Sequence, residues 1–341
     1  MSLKQPLKNG LFHVGRWSGL MPAIRATFAA RGVILMFHEI HPNPSDELMT
    51  VTAPALLRYA ICWFKKHSWA IVSLDEFLSR MTVQASSPRF AAFTFDDGYR
   101  DLVTQALPIL EDNNVPFTVF VPTGAPTRNL YSWWLGLREL VRTHDKVTIE
   151  AMGRQFQCQT FQEKVAAVRE MLKWVSQDYH RKSMLEPTFA SARISLSALN
   201  DAYFLSEREL FELAEHPLAS IGAHTSSHAA LATLEINAAR EEMAENRAYL
   251  EQLLRRPVGH IAFPYGNALA CGAREARLAA ELGFWSGLTS NKGQFLAGRS
   301  YNPYFLPRVG VHSEDTCTTL GIQLNGFQRA LRVIQLKSAG D

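Results

Sequence analysis

Seven strand-like apolar runs, at residues 33–37, 90–95, 116–121, 218–223, 258–263, 284–288 and 305–311, recur along the chain with helical patterns between most of them. Alternating strand and helix predicts a parallel sheet, and about seven such strands suit a closed barrel. The helices are read from apolar spacing at i, i+3 and i+4. Ala53 to Lys66 carries Leu56, Leu57, Ala60, Ile61 and Phe64 on one stripe, and Arg100 to Asn113 carries Leu102, Ala106, Leu107 and Leu110. Ser206-Glu207-Arg208-Glu209 reads as a capping box opening a helix that runs to about His216. Ile236 to Leu254 is long and charged, with Ala239, Met243, Asn246, Leu250 and Leu253 as its buried stripe.

One connection breaks this rhythm. Between the runs at 116–121 and 218–223 lie nearly a hundred residues, far more than an ordinary crossover needs. They hold Trp133-Trp134-Leu135, a mixed stretch near 146–160 and a helical pattern from Gln162 to Val175. Residues 126–205 therefore read as an insertion rising from the face that bears the chemistry.

The runs end on reactive groups. Arg89 to Phe95 leads into Asp96 and Asp97, within Thr94-Phe95-Asp96-Asp97-Gly98-Tyr99, and Leu218 to Ala223 leads into His224-Thr225-Ser226-Ser227-His228. The carboxyl ends of buried strands are where parallel α/β folds place their active sites. Asp-Asp-Gly alone also serves as a plain turn, and a His pair at i, i+4 recurs without metal; the shared setting joins them. One Asp and two His suffice to bind a metal, and the other Asp is then free to act as a base. Three protein ligands leave a coordination position open for water or substrate, which marks a catalytic site. One hard oxygen and two borderline nitrogens suit zinc, and also cobalt, nickel or iron. The chain reads as a metal-dependent hydrolase.

These segments and Phe263-Pro264-Tyr265-Gly266 resemble, in this order, the first three motifs of the polysaccharide deacetylases, the NodB-homology or carbohydrate esterase family 4 group. Val33-Ile34-Leu35-Met36-Phe37-His38 resembles the first strand of many members, and Leu306-Pro307-Arg308-Val309 extends the likeness to roughly residues 31–312. The resemblance implies a distorted (β/α)7 barrel over 31–312 with a helical and mixed insertion at 126–205. An amphipathic segment at 1–30 precedes it and a C-terminal helix at 313–341 follows. It implies removal of acetyl groups from N-acetylated sugars of a polysaccharide, an oligosaccharide or a lipid-linked glycan. By resemblance, Asp97, His224 and His228 hold the metal and Asp96 is the general base. The metal and the backbone N–H of Tyr265 receive the oxyanion.

Two departures stand out. The family's Arg-x-Pro reads Ala262-Phe263-Pro264, so the Arg that orients the base is missing. Arg308 is the candidate replacement, with a solvated strand-end Arg as the alternative. The terminal Leu-x-His that supplies the general acid is also missing in plain form. His38, at the end of the first strand, is preferred over His312, and a structural role for either stays open. Trp133 and Trp134 are read first as anchors of the insertion and second as stacking surfaces for sugar rings. Two other functions remain: hydrolysis of a small non-peptide amide or an O-acetyl ester, and a non-catalytic glycan-binding protein on a decayed site. The intact Asp96, Asp97, His224 and His228 argue against decay.

The net charge of +3 gives no argument for nucleic acid or membrane recruitment. No run of 18 apolar residues exists to suggest a transmembrane helix, and the N-terminus lacks a signal-peptide pattern. Four scattered cysteines fit a reducing compartment. The expectation is a cytoplasmic protein, which favours a biosynthetic precursor over a mature wall polymer as substrate. Residues 3–31 alternate Lys4, Lys8, Arg16, Arg25 and Arg31 with Leu11, Phe12, Trp17, Leu20, Met21 and Ile24. Such a segment usually packs on its own domain; association with an anionic membrane surface is the alternative.

Overall fold

A computed structural model describes residues 30–43, 48, 49, 51–82, 88–312, 314–327, 329 and 331. Residues 1–29, on which the membrane-surface expectation rests, and 332–341 lie outside the described residues. Ten strands are present among the described residues: β1 (Gly32–Phe37), β2 (Ala70–Ile71), β3 (Phe90–Phe95), β4 (Phe117–Val121), β5 (Lys146–Ile149), β6 (Arg154–Gln157), β7 (Ala219–Ala223), β8 (His260–Ala262), β9 (Ser286–Lys292) and β10 (Leu306–Gly310). Seven of them form a parallel barrel in the order β1, β3, β4, β7, β8, β9, β10. It closes where β10 pairs back onto β1 through Leu35 with Val309 and Met36 with Gly310. The fold is the (β/α)7 barrel expected.

Its distortion has two sources. The three-residue β8 meets β7 through the single pair Ala223–Ile261, and the β9–β10 register shifts between Leu306 and Arg308. β2 adds outside the ring, against Phe90 and Ala91 of β3.

Strand alternation sorts the apolar residues into two layers. Val33, Leu35 and Phe37 of β1 and Ala91, Phe93 and Phe95 of β3 pack outward with Leu57, Ala60 and Phe64 of the helix Pro54–Lys66. Ile34, Ala92, Phe120, Ala262, Leu288 and Leu306 come from the alternate positions and pack on one another inside the barrel. Burial on both faces is why the strands read as continuous apolar runs.

The long connection forms a separate cluster. Its helices Trp133–Thr143 and Phe161–Gln177 and the antiparallel β5–β6 hairpin bury Leu137, Val141, Ile149, Phe156, Val168 and Met171 together, and the cluster reaches the barrel at Tyr99, Ala230 and Ala270. Capping boxes open two of its helices, Thr160 with Glu163 and Ser206 with Glu209. The stretch near 146–160 is the hairpin, with Gly153 at φ 59° in its turn.

Two elements differ from the expectation. The pattern from Arg100 to Asn113 is not one continuous α-helix: a π segment at Leu102–Ala106 precedes the α-helical Leu107–Asp112. Pro108 has no N–H to give and its ring crowds the preceding turn, so regular i→i−4 bonding fails there. β9 continues past 288 to Lys292. Its last residues are polar because they stand at the barrel mouth. The four cysteines are free thiols. No helix among the described residues is long and apolar enough to cross a membrane.

Candidate active site

β3 and β7, which flank β4, carry the central groups. After β3, the Asp96 N–H bonds the Phe37 carbonyl (2.9 Å), which holds the chain end against β1. Asp97 and Gly98 then both take left-handed conformations, each at φ 71°. Glycine enters that region freely; an aspartate held there carries strain that the surrounding bonds must offset. After β7, Thr225 (φ 63°) and His228 (φ 54°) curl the loop so that both imidazoles meet Asp97. Asn246, the one polar residue in the buried stripe of helix Ile236–Leu254, fixes the base of this loop. Its carbonyl accepts the His224 N–H (2.8 Å), and its amide donates to the Val121 carbonyl (3.1 Å) and the Thr123 hydroxyl (2.8 Å).

Asp97 Oδ1 lies 3.3 Å from His224 Nε2 and 3.2 Å from His228 Nε2, with all three side chains buried. His224 Nδ1 faces the Ala262 carbonyl at 2.7 Å and can only donate to it, so in a neutral ring Nε2 is a bare lone pair aimed at a carboxylate oxygen. Asp97 Oδ1 has no hydrogen-bond partner among the described residues. A bare His224 lone pair facing a carboxylate oxygen in a buried pocket suits a cation between them, while no bond at His228 Nδ1 fixes the tautomer of the second imidazole. The spacing suits a cation. Two donors ~2.0–2.1 Å from a tetrahedral zinc lie ~3.3–3.4 Å apart. The group can hold a divalent metal.

Asp96, next in sequence, meets Arg308 instead. Both Arg308 terminal nitrogens donate to its two oxygens at 2.7 Å, while Nε donates to the Thr289 carbonyl (3.0 Å) and Nη1 also to the Thr94 hydroxyl (3.2 Å). Burial pushes the Asp96 carboxyl up, but Arg308 and then His224 outweigh it and hold the group below the usual carboxylate range. Burial acts on Asp97 in the same direction, and His228 and His224 hold it well below that range. His224 is raised despite its burial, by Asp97 and Asp96, whereas burial leaves His228 lowered.

Beyond β8, Tyr265 (φ 60°) and Gly266 (φ 58°) form a tight turn. A Cβ on Gly266 would stand 2.2 Å from the Ser290 nitrogen, so only glycine fits. The Tyr265 ring stacks on Tyr179 of the insertion (4.2 Å) and meets His228 edge-on (4.7 Å), and its hydroxyl accepts from Trp133 Nε1 (3.0 Å). Its carbonyl accepts from the Ser290 hydroxyl (2.5 Å). Trp134 Nε1 donates to the Tyr99 hydroxyl (2.8 Å). Both indoles are buried and tie the insertion to the barrel while lining the same cleft.

That cleft holds about 780 Å³ and brings together Asp96, Asp97, His224, His228, Tyr265, Arg308, His38 and His312. Every candidate site residue singled out from the sequence lines it. The sequence did not disclose Asn246 as a polar tie, nor the buried ion pair in which Arg138 Nη1 donates to Glu39 (2.8 Å) and joins the insertion to the residue after His38. A lone Asn in an apolar helical stripe was the available clue to the first.

Residues 84–284 match the family described as polysaccharide deacetylase. This chain belongs to the polysaccharide deacetylase family. A hydrolase of the deacetylase class is what membership supports. Among solved structures, a Streptococcus pyogenes deacetylase, PplD, in complex with acetate is 18% identical with a TM-score of 0.57, over 86% of this chain and 97% of that one. IcaB from Ammonifex degensii is 15% identical with a TM-score of 0.53, over 87% and 97%. BA0330 from Bacillus anthracis is 15% identical with a TM-score of 0.54, over 86% and 68%. At such identities these likenesses speak for the deacetylase fold. No curated protein sequence matches the chain.

Proposed function

We propose that this deacetylase removes the acetyl group from N-acetylated sugars of a polysaccharide, an oligosaccharide or a lipid-linked glycan, using a divalent metal, zinc by preference, held by Asp97, His224 and His228. The observation that carries this reading is the unpartnered Asp97 Oδ1 facing two imidazole nitrogens beside a second, ionised carboxylate. The metal would supply Lewis-acid polarisation of the acetamide carbonyl and acidification of water.

The chain's own residues do the rest. Asp96, locked in orientation and kept ionised by Arg308, takes the proton of the attacking water. The water oxygen bonds to the carbonyl carbon. Among the described residues the Tyr265 N–H meets no acceptor, and it donates to the developing oxyanion. His38, on the cleft wall just past β1, protonates the departing nitrogen as the C–N bond breaks, leaving acetate and a free amine. The apolar insertion above the cleft shields this step from bulk water.

A cytoplasmic site of action, on a precursor glycan, is part of the proposal and is supported by four free thiols; cell fractionation tests it. The activity is tested by acetate release from a panel of N-acetylated glycans, with and without chelator. Chelator-sensitive release from at least one glycan is expected. Release confined to small amides or O-acetyl esters would change the substrate. Glycan binding without any release would make the protein a lectin.

A further inference from the structure

β1, β10 and β9 are neighbours in the barrel, and their mouth-side ends present three basic side chains to the cleft: His38, His312 and Lys292. The charges of His38 and Lys292 bear on His312, and so do those of Asp315 and Glu314, which line the same cleft. Three acidic groups of the cleft are paired with arginines. Glu39 pairs with Arg138 (2.8 Å), Asp96 with Arg308 (2.7 Å) and Glu314 with Arg169 (2.8 Å). Asp315 accepts from the His312 N–H (3.0 Å), the Thr319 hydroxyl (3.1 Å) and the Gln323 amide (3.1 Å), at the start of helix Cys317–Leu324.

Lys292 has neither ion-pair nor hydrogen-bond partner among the described residues, and neither ring nitrogen of His312 has one. The His312 ring is seated by shape. It lies over Gly310, where a Cβ would stand 2.5 Å from Nε2. An exposed ammonium in no direct ion pair, lining the same cleft as an imidazole with both nitrogens free, is a donor set for an anion.

We propose that Lys292 and His312 form an anion-reading wall beside the hydrolytic site, and that the glycan deacetylated here carries a phosphate or carboxylate group next to its acetamido sugar. The inference rests on the deacetylase reading for its substrate and its kinetic test, though not for its binding test. A neutral glycan leaves water against this wall; an anionic one replaces that water with charge-assisted hydrogen bonds and is drawn in by the field.

The test compares three oligosaccharides with the same acetamido sugar and a neutral, a carboxylate-bearing or a phosphate-bearing neighbour. Wild type should favour an anionic member by roughly tenfold in kcat/KM, mainly through KM, and the preference should shrink as salt is raised. Lys292→Met, which keeps the apolar stem, should cut the anionic-to-neutral ratio by roughly tenfold, and Gly310→Ala, which displaces the His312 ring, should cut it as well. Which anion gains more identifies the source of the charge. Equal kcat/KM for neutral and anionic members, or a ratio unmoved by Lys292→Met, would overturn the proposal. Calorimetric binding of the same three to metal-loaded Asp96→Asn protein decides the matter without turnover. If no member is hydrolysed, the deacetylase reading fails, while tighter binding of the anionic members still upholds the wall.

Discussion

Asp96 and Asp97 are adjacent in sequence and face different partners. One receives a bidentate guanidinium at 2.7 Å; the other points a bare oxygen at two imidazoles. Two ionised carboxylates this close repel, so each needs its own counter-charge, and the division of roles follows from which charge each one meets. Asp97→Ala, His224→Ala and His228→Ala should each lower metal content and abolish acetate release, whereas Asp96→Asn should keep the metal and lose roughly 10²–10⁴-fold in rate. Metal analysis beside a turnover assay checks this, and active Asp96→Asn protein would move the base elsewhere. Arg308→Met should destabilise the fold by roughly 3–5 kcal/mol in urea, because it strands a buried charge, and adding Asp96→Asn should recover much of that loss. The general acid is the freest assignment, since His38 and His312 share the cleft wall. If His38 protonates the leaving amine, His38→Ala should slow acetamide hydrolysis by roughly 10²–10⁴-fold and an activated acetate ester far less. His312→Ala should show no such contrast, and finding it there would reverse the assignment.

At the scale of elements, the barrel strands were legible because burial on both faces leaves unbroken apolar runs, and Phe90–Phe95 falls where its pattern places it. The carboxylates and imidazoles were legible because they follow such runs directly. Other features lack a local pattern. β5 and β6 are short half-buried strands whose alternation is too brief to settle, and the polar end of β9 belongs to the cleft rather than to the core. Arg138 and Glu39 stand 99 residues apart, and only the folded insertion joins them. The return of the insertion to the barrel rests on a similar long-range clip. Arg100, which follows Tyr99, donates to Glu209 (2.9 Å) and to the Asp201 and Ala202 carbonyls (2.6 and 3.0 Å), while Glu209 closes the capping box of Ser206. Burial raises the Glu209 carboxyl, but Arg100 and the Ser206 bonds outweigh it and hold it at about 2, against an ordinary 4.5. A depressed carboxyl stabilises the fold above its unfolded value and loses that contribution as pH falls toward the folded one. Glu209→Gln should therefore lower stability by about 1 kcal/mol at neutral pH, a figure limited by solvent screening. The gap to wild type should close as pH drops from 4.5 to about 2. Denaturant midpoints across that range test it; a gap that widens toward acid would contradict the assignment.

For the whole molecule, the candidate ligands come from two strand ends on either side of β4: Asp97 after β3, His224 and His228 after β7. A cation bound by all three would brace the barrel across that gap, next to the β7–β8 seam where a single register pair holds the ring. The unfolded chain separates these ligands by more than a hundred residues and presents no such site, so binding favours the folded state. At free zinc near 100 times its dissociation constant the gain is about 2.7 kcal/mol. For a chain longer than 250 residues that amounts to several degrees in Tm at most, since the unfolding entropy is large. Thermal unfolding of stripped protein should shift upward on adding zinc and return on adding chelator, and Asp96→Asn should shift as wild type does because Asp96 is satisfied by Arg308. His228→Ala should show little shift. An equal rise in His228→Ala would place the stabilising ion outside this trio and remove the structural ground for metal-assisted deacetylation here.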